Sequence, residues 1–311
     1  MGYTSRTIVV ECPLLRTQCR LGEGPLYDSK DSLLHFVDIE NCKIYHLNIR
    51  TSELTSEQFN EPITCLALRR NGTGLACTTS TGFALIEAES NLRYLCQPLP
   101  SETRPYTRFN DGACDKEGRF VAGTLYSKEH NVPGQLYMFD PAKGECKVID
   151  DGPFTDSNGL GWSEDGKTMY FTDSLTNKIY AYDYDTGKVS NRRVFVDPIS
   201  HGLPEGTYPD GLCIDNAGGI WSARWGGSRI IRYTPDGAMD LEVFFPTVLN
   251  VTACCFGAGP NEDQLYVTTA HCGACGGDAS RQALYPDSGD LFVVDFSGQF
   301  RGAKWRHEFA V

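Results

Sequence analysis

Short β-strand patterns recur along this 311-residue chain at intervals of about 40 to 50 residues. The six clearest runs cover residues 33–38, 74–79, 119–124, 168–173, 219–223 and 264–269. Most are followed by a second short strand pattern and a Gly, Pro or Asp turn, and helical periodicity is missing from segments of useful length. This interval is typical of four-stranded propeller blades. We therefore predict an all-β protein, a six-bladed β-propeller of four-stranded antiparallel blades forming a single domain over residues 1–311.

Two stacked β-sandwich domains are the alternative architecture. A two-domain chain would be expected to show a change in composition or a linker near its middle. The strand spacing instead stays regular throughout, and the sequence shows no linker-like segment. The propeller is therefore the favoured fold.

Four pairs of an acidic or amide residue with glycine stand in front of predicted strands. They are Glu23-Gly24, Asp111-Gly112, Asn158-Gly159 and Asp210-Gly211. Fifteen residues separate Glu23 from Asp38 and Asn158 from Asp173, so the pairs share one frame of the repeat. Each pair is expected to open the innermost strand of its blade. Uncharged residues near Thr64 and Thr252 take the same place in the other two blades.

The innermost strands of a propeller begin at one mouth of its central channel, so these side chains should face one another. Carboxylate and amide oxygens form a hard ligand set that suits Ca²⁺, Mg²⁺ or Mn²⁺ and is acceptable to Zn²⁺ or Fe²⁺. Alternatively, Asp-Gly and Asn-Gly are turn residues that bond the local backbone. Four pairs in one frame, with Glu23 among them, favour a site for one divalent cation.

Four motifs resemble, in order, those of the gluconolactonase-like family. They are Gly22-Glu23-Gly24-Pro25, Arg108-Phe109-Asn110-Asp111-Gly112, Ser157-Asn158-Gly159-Leu160 and Tyr208-Pro209-Asp210-Gly211-Leu212-Cys213-Ile214-Asp215. The similarity runs from about Glu11 to near the C-terminus. It implies a six-bladed propeller that uses one divalent cation to hydrolyse sugar lactones to sugar acids.

The resemblance also implies roles for individual residues. Glu23, Asn158 and Asp210 match the metal ligands, and Asp210 matches the general base as well. Arg108 and Asn110 match positions that contact the substrate. In this hypothesis the cation polarises the lactone carbonyl.

The resemblance does not assign a role to Lys128 or to Asp111. The family places an acidic pair after its Ala-Gly-Thr strand, whereas this chain has Lys128 at the matching place, followed by Glu129. Either Glu129 replaces the missing carboxylate or the pocket takes a different lactone. Lys128 is accordingly a candidate substrate contact, or a solvated charge at the rim. Asp111 could bind the cation, open a turn or, as we favour, orient the ligands by hydrogen bonds.

The formal charge of −12 and pI near 5.0 make nucleic acid and anionic membranes improbable partners. No signal-peptide pattern or apolar run long enough to span a membrane is evident, so we expect a cytoplasmic location. The 13 cysteines are then expected to be free thiols, with Cys272 and Cys275 as a loop pair in preference to a metal or redox motif.

Other functions remain open on the sequence. The same cation could support hydrolysis of other esters or phosphotriesters. A propeller could also serve as a non-catalytic calcium-binding or protein-interaction module. The residues do not distinguish glucono-, galactono-, arabinono-, xylono- and rhamnono-lactones, the physiological metal or the oligomeric state.

Overall fold

The computed structural model describes residues 6–303 and 307–311. Their β-strands form six sheets, and the first strand of each sheet contacts the first strands of the neighbouring sheets in a closed ring. The predicted all-β, six-bladed propeller is therefore confirmed. Within the described residues, no helix is long and apolar enough to cross a membrane.

Blades 1 to 3 each contain four antiparallel strands in sequential order. Blade 1 comprises β2 to β5, Gly22–Asp28, Leu33–Asp38, Lys43–Asn48 and Leu54–Gln58. Blade 2 comprises β6 to β9, Ile63–Leu68, Leu75–Thr79, Phe83–Glu87 and Asn91–Cys96. Blade 3 comprises β10 to β13, Phe109–Cys114, Phe120–Thr124, Gly134–Asp140 and Glu145–Phe154.

Blade 4 repeats this pattern, whereas the last two blades depart from it. Blade 4 comprises β14 to β17, Ser157–Trp162, Thr168–Asp173, Lys178–Asp185 and Lys188–Val196. Blade 5 comprises β18 to β21, Tyr208–Ile214, Ile220–Trp225, Arg229–Tyr233 and Met239–Phe244, joined by β1, Arg6–Val9. Blade 6 comprises β22 to β24, Asn250–Phe256, Gln264–Ala270 and Phe292–Asp295.

The N-terminal segment accounts for the fifth strand of blade 5. Strand β1 pairs in parallel with β21, and Leu15 then forms an antiparallel bridge to Leu291 beside β24. The chain thus runs past blades 5 and 6 before it enters blade 1. Near the other terminus, Phe309 bridges to Arg69 and is fully buried.

The second strand of every blade lies where the sequence predicts it, to within two residues at either end. Five short 3₁₀ turns interrupt the β-structure within the described residues. They cover Ala88–Ser90, Ser174–Thr176, Gly259–Asn261, Ala274–Gly276 and Ala279–Ala283.

The hydrophobic core lies between adjacent blades. One buried cluster joins blades 2 and 3 around Phe83, Phe109 and Phe120, whose rings meet edge to face. Another joins blades 3 and 4 around Phe154 and Phe171. Because both faces of each blade are covered by its neighbours, the strands read as nearly continuous apolar runs. This packing holds the first strands in a ring and so fixes the geometry of the channel mouth.

Candidate functional site

Each first strand carries a β-bulge close to its start, which is the end at the channel mouth. The strand register shifts between Glu23 and Leu26, Ile63 and Cys65, Phe109 and Gly112, Asn158 and Leu160, Pro209 and Leu212, and Val251 and Ala253. A bulge bends the strand and redirects a side chain. Six equivalent side chains stand at these bulges, all of them buried, namely Glu23, Thr64, Asp111, Asn158, Asp210 and Thr252.

Two of the four glycines, Gly159 and Gly211, have a packing reason that the sequence did not reveal. A Cβ atom on Gly159 would lie 2.7 Å from the backbone nitrogen of Leu212 and 2.8 Å from the carbonyl oxygen of Asp210. A Cβ atom on Gly211 would lie 2.8 Å from the Cα of Ala253. At these two positions neighbouring first strands approach too closely for a larger residue.

The three predicted metal ligands line a single cavity of about 400 Å³. Glu23, Asn158 and Asp210 lie there together with Arg108 and Asn110, the two predicted substrate contacts. The structure thus brings together residues separated by up to 187 positions in the chain. Their chemical roles stay predictions.

The other two predicted site residues lie elsewhere. Asp111 is buried beside the cavity without lining it, and its Oδ1 accepts a hydrogen bond from the backbone N–H of Gly112 at 2.7 Å. Lys128 is exposed and does not line the cavity, and neither does the exposed Glu129. The proposed contact between Lys128 and substrate therefore gains no support from its position.

A chain of hydrogen bonds holds the polar side chains of the cavity. Arg108 Nη1 donates to Asn110 Oδ1 at 2.6 Å, and Asn110 Nδ2 donates to Asn158 Oδ1 at 3.0 Å. Asn158 Nδ2 donates to Ser174 Oγ at 2.9 Å, and Ser174 Oγ donates to the carbonyl oxygen of Pro209 at 2.7 Å. An amide oxygen has two lone pairs. Asn158 Oδ1 can therefore accept from Asn110 and still offer a lone pair to a cation.

Burial and mutual repulsion raise the pKa values of two carboxyl groups in the cavity. Burial and the neighbouring charge of Asp111 raise the pKa of Glu23 to about 8, although Arg108 acts in the opposite direction. Burial, followed by the charge of Glu23, raises the pKa of Asp210 well above its usual value. Both groups therefore resist ionisation in the absence of a counter-charge.

This donor set fits a divalent cation. Glu23 and Asp210 supply two buried carboxylates and Asn158 supplies an amide oxygen, all hard ligands. A cation would relieve the repulsion that raises the two pKa values. No group of three or more His, Cys, Asp or Glu side chains suited to metal binding occurs in residues 6–303 and 307–311. A cation site here therefore needs the amide oxygen.

Asp156 is a cavity residue that the sequence reasoning missed. Burial raises its pKa to about 6, and the nearby Arg108 opposes this shift. It precedes Asn158 by two positions, as Leu21 precedes Glu23 and Tyr208 precedes Asp210, and all three line the cavity. Side chains two positions apart on a strand point to the same side. Counting back two residues from Glu23, Asn158 and Asp210 would have found them.

Residues beyond the second strands complete the cavity, and no pattern in the sequence pointed to them. Leu125 follows β11, Ser174 and Leu175 follow β15, and Trp225 ends β19. The segment 274–277 follows β23 and lines the cavity too, with Cys275 among its residues. All 13 cysteines are free thiols, as predicted. Cys272 is buried, with its Sγ 3.6 Å from Ser288 Oγ, so Cys272 and Cys275 occupy different environments.

Asp38 and Asp173 have structural roles. Asp38 accepts hydrogen bonds from the backbone N–H groups of Arg20 and Leu21, both at 2.9 Å. Asp173 accepts from the backbone N–H groups of Thr155 and Asp156 at 2.9 and 3.1 Å. Each carboxylate therefore ties the chain entering a first strand to the end of the second strand.

The chain is similar to proteins of known family and known structure. Residues 21–271 match the model of the SMP-30/Gluconolactonase/LRE-like region. The chain is 36% identical to regucalcin of Xenopus laevis over 297 residues, which covers 93% of this chain and 94% of that protein.

Two solved structures share the fold. The structure of a luciferin-regenerating enzyme has a TM-score of 0.83 and 26% identity, covering 96% of this chain and all of the other (100%). The structure of regucalcin from Agrobacterium tumefaciens, described as a calcium-binding protein, has a TM-score of 0.84 and 23% identity, covering 99% and 100% of the two chains.

Proposed function

This chain belongs to the SMP-30/gluconolactonase/LRE-like family, and from that premise we propose that it is a divalent-metal-dependent lactonase. It would hydrolyse a lactone to the corresponding hydroxy acid, and the aldonolactones implied by the resemblance are the first substrates to test. The observation that carries this proposal is the convergence of Glu23, Asn158 and Asp210 in one cavity with Arg108 and Asn110.

Glu23, Asn158 and Asp210 would hold the cation. When bound, it would supply Lewis acidity towards the lactone carbonyl and its developing negative charge. An oxygen-only set is permissive, so Ca²⁺, Mg²⁺, Mn²⁺, Zn²⁺ and Fe²⁺ are all candidates. The calcium-binding description of the Agrobacterium tumefaciens relative supports a divalent cation.

Asp210 would act as the general base. Its carboxylate lines the same cavity as Arg108 and Asn110, so a proton acceptor lies close to the residues that would hold the lactone. It would accept a proton from water as the water oxygen bonds to the carbonyl carbon. It would return that proton to the ring oxygen as the ring C–O bond breaks. The product is a hydroxy acid.

Arg108 and Asn110 would orient the lactone. The guanidinium of Arg108 is held by Phe109 O at 2.9 Å and by Asn110 Oδ1 at 2.6 Å, both through Nη1. Its remaining N–H groups can donate to an oxygen of the substrate. A positioned donor of this kind lowers the barrier by holding the reacting atoms in place.

The proposal is tested by loading the protein with each candidate metal and measuring proton release from a panel of aldonolactones. Phosphotriesters are assayed in parallel. Asp210→Ala is expected to remove metal binding and to lower turnover by about 10³-fold or more. Asp31→Ala, at an exposed carboxylate, is the matched control and should retain full activity.

Three outcomes separate the candidate functions. Lactone turnover that depends on Asp210 supports the proposal. Turnover of phosphotriesters alone would reassign the site to those esters. Metal binding with no hydrolysis above background would indicate a calcium-binding module and refute the lactonase function.

A further inference from the structure

The cavity is lined by apolar residues as well as by the polar side chains described above. We term its apolar members the apolar wall, namely Leu21, Leu125, Leu175, Trp225 and Ala274. Leu125, Leu175 and Trp225 lie at or just after the ends of second strands in blades 3 to 5, and Ala274 lies four residues beyond the end of β23 in blade 6. Four blades thus contribute apolar residues to the cavity lining.

Leu175 is the most informative member of the wall. It is 56% exposed although it lines the cavity, and in the 3₁₀ turn Ser174–Thr176 it directly follows Ser174, which accepts a hydrogen bond from Asn158. Trp225 is partly buried and packs against the core cluster of blades 1 and 2. An apolar group placed against this wall would remove leucine and tryptophan surface from water, which is favourable.

Several donors of the polar lining are already engaged by the protein, whereas Arg108 keeps N–H groups that a substrate could use. The side-chain amides of Asn110 and Asn158 and the hydroxyl of Ser174 already donate to protein acceptors. A hydroxyl group that enters a cavity without finding a partner loses its bonds to water at a cost in free energy. Asp156 and Tyr208 add further polar groups to the lining, and Asp156 lies beside Leu125, with which it forms a backbone bridge.

The segment that could have supplied more polar contacts lies outside the cavity. Lys128 and Glu129 are exposed and do not line it, whereas Leu125, from the same connection after β11, does. This connection therefore presents an aliphatic side chain to the substrate space.

We infer that the preferred substrate is a lactone whose ring carries a hydrophobic alkyl or aryl substituent, seated on the apolar wall, in place of the hydroxyl-bearing groups of an aldonolactone. This inference rests on the proposed function, because it describes the substrate of the same site. The lactone carbonyl would face the carboxylates, and the substituent would extend from the ring towards Leu175 and Trp225.

Three δ-lactones with one ring size test this inference on the metal-loaded protein. The first is δ-valerolactone and the second is the same lactone with a pentyl chain on C5, the saturated carbon bonded to the ring oxygen. The third is D-glucono-δ-lactone. We expect kcat/KM for the pentyl lactone to exceed that for gluconolactone by about tenfold or more, since several methylene groups would be buried.

Substitution of a leucine in the apolar wall tests whether the wall causes this preference. Leu175→Ser should lower the kcat/KM ratio of pentyl lactone to valerolactone by about fivefold. Leu284→Ser, at a leucine that is 74% exposed and outside the cavity, should leave the ratio unchanged. Leu125→Ser provides a second variant, with circular dichroism as the check on folding.

The two proposals fail in different ways. Gluconolactone preferred over both other lactones, with a ratio insensitive to Leu175→Ser and Leu125→Ser, would overturn the apolar substituent while leaving the lactonase function intact. Hydrolysis of none of the three lactones with any of the metals would overturn the lactonase function and this inference with it.

Discussion

The same bulge position is used in two ways around the ring. In blades 1, 3, 4 and 5 it holds an acid or an amide, whereas in blades 2 and 6 it holds Thr64 and Thr252. Thr64 Oγ1 lies 2.8 Å from Thr78 Oγ1, and Thr252 Oγ1 donates to the carbonyl oxygen of Gly22 at 2.6 Å. The threonine hydroxyls are thus engaged within the protein, Thr64 with the second strand of its own blade and Thr252 with the first strand of blade 1.

The acidic positions are equally buried but less well compensated. Glu23 Oε2 accepts from the backbone N–H of Gly24 at 3.0 Å, yet the pKa of Glu23 remains raised. Burial is common to all six positions, so the difference comes from the charge. A buried carboxyl group whose pKa is strongly raised is characteristic of a functional site.

The largest expected effect tests whether the acids and the threonines differ in function. Glu23→Gln removes one of two charged ligands while preserving shape, and it should weaken divalent-cation binding on the order of 100-fold. Isothermal titration calorimetry at fixed pH measures this change. Thr64→Val is the matched control from a ring position without charge. Equal affinity in the Glu23→Gln and parent proteins would remove Glu23 from the ligand set.

The pH dependence of the free energy of unfolding gives a second way to compare the acidic positions with the threonines. The pKa of Glu23 is about 8 in the folded protein against an ordinary value of 4.5, so the folded state holds a proton that the unfolded state loses. The metal-free protein should therefore lose stability as pH rises from about 5 to about 8, by roughly 1 kcal/mol per pH unit. Asp156, with its pKa raised to about 6, acts in the same direction.

Thermal unfolding at several pH values checks this expectation. Glu23→Gln should reduce the slope and raise the melting temperature of the metal-free protein at pH 8, because no charge has to form at that position. A saturating divalent cation should stabilise the parent protein most at the alkaline end. A slope that is the same in both proteins would show that Glu23 ionises without strain.

The smallest expected effect concerns the threonines. Thr64→Val removes the hydroxyl that meets Thr78 Oγ1 and keeps the shape of the side chain. It should lower the free energy of unfolding by about 1 kcal/mol, as expected for one buried hydrogen bond. Urea denaturation measures this loss. Unchanged stability combined with a loss of activity would contradict the structural role of the threonine.

Much of the architecture was predictable from local signals. The second strands could be located because their apolar residues and turn residues repeat at one interval, and blade packing reproduces that interval. The ring position of Glu23, Asn158 and Asp210 could be predicted for the same reason. The N-terminal strand β1 could not, because Arg6–Val9 pairs with Leu241 to Phe244, which are remote in the chain.

The cavity was only partly predictable. Asp156 and Tyr208 were within reach, since each precedes a ring residue by two positions, Asp156 at a bridge just before β14 and Tyr208 at the start of β18. Leu175 and Trp225 were not, because the direction of a residue at the end of a second strand depends on how its blade is tilted against the next one. Lys128 is a further example: it stands at a position that the family motif implies for substrate contact, but its side chain does not line the cavity.

The amino-acid sequence by itself determined the number of blades and the residues that open each first strand, because both follow from a repeat of short-range patterns. The tertiary structure alone decided which of these residues share a cavity and what faces them. That outcome depends on the close approach of neighbouring strands at Gly159 and Gly211 and on the connections that pack around the mouth. Contacts between blades are made by residues far apart in the chain, and no local pattern encodes them.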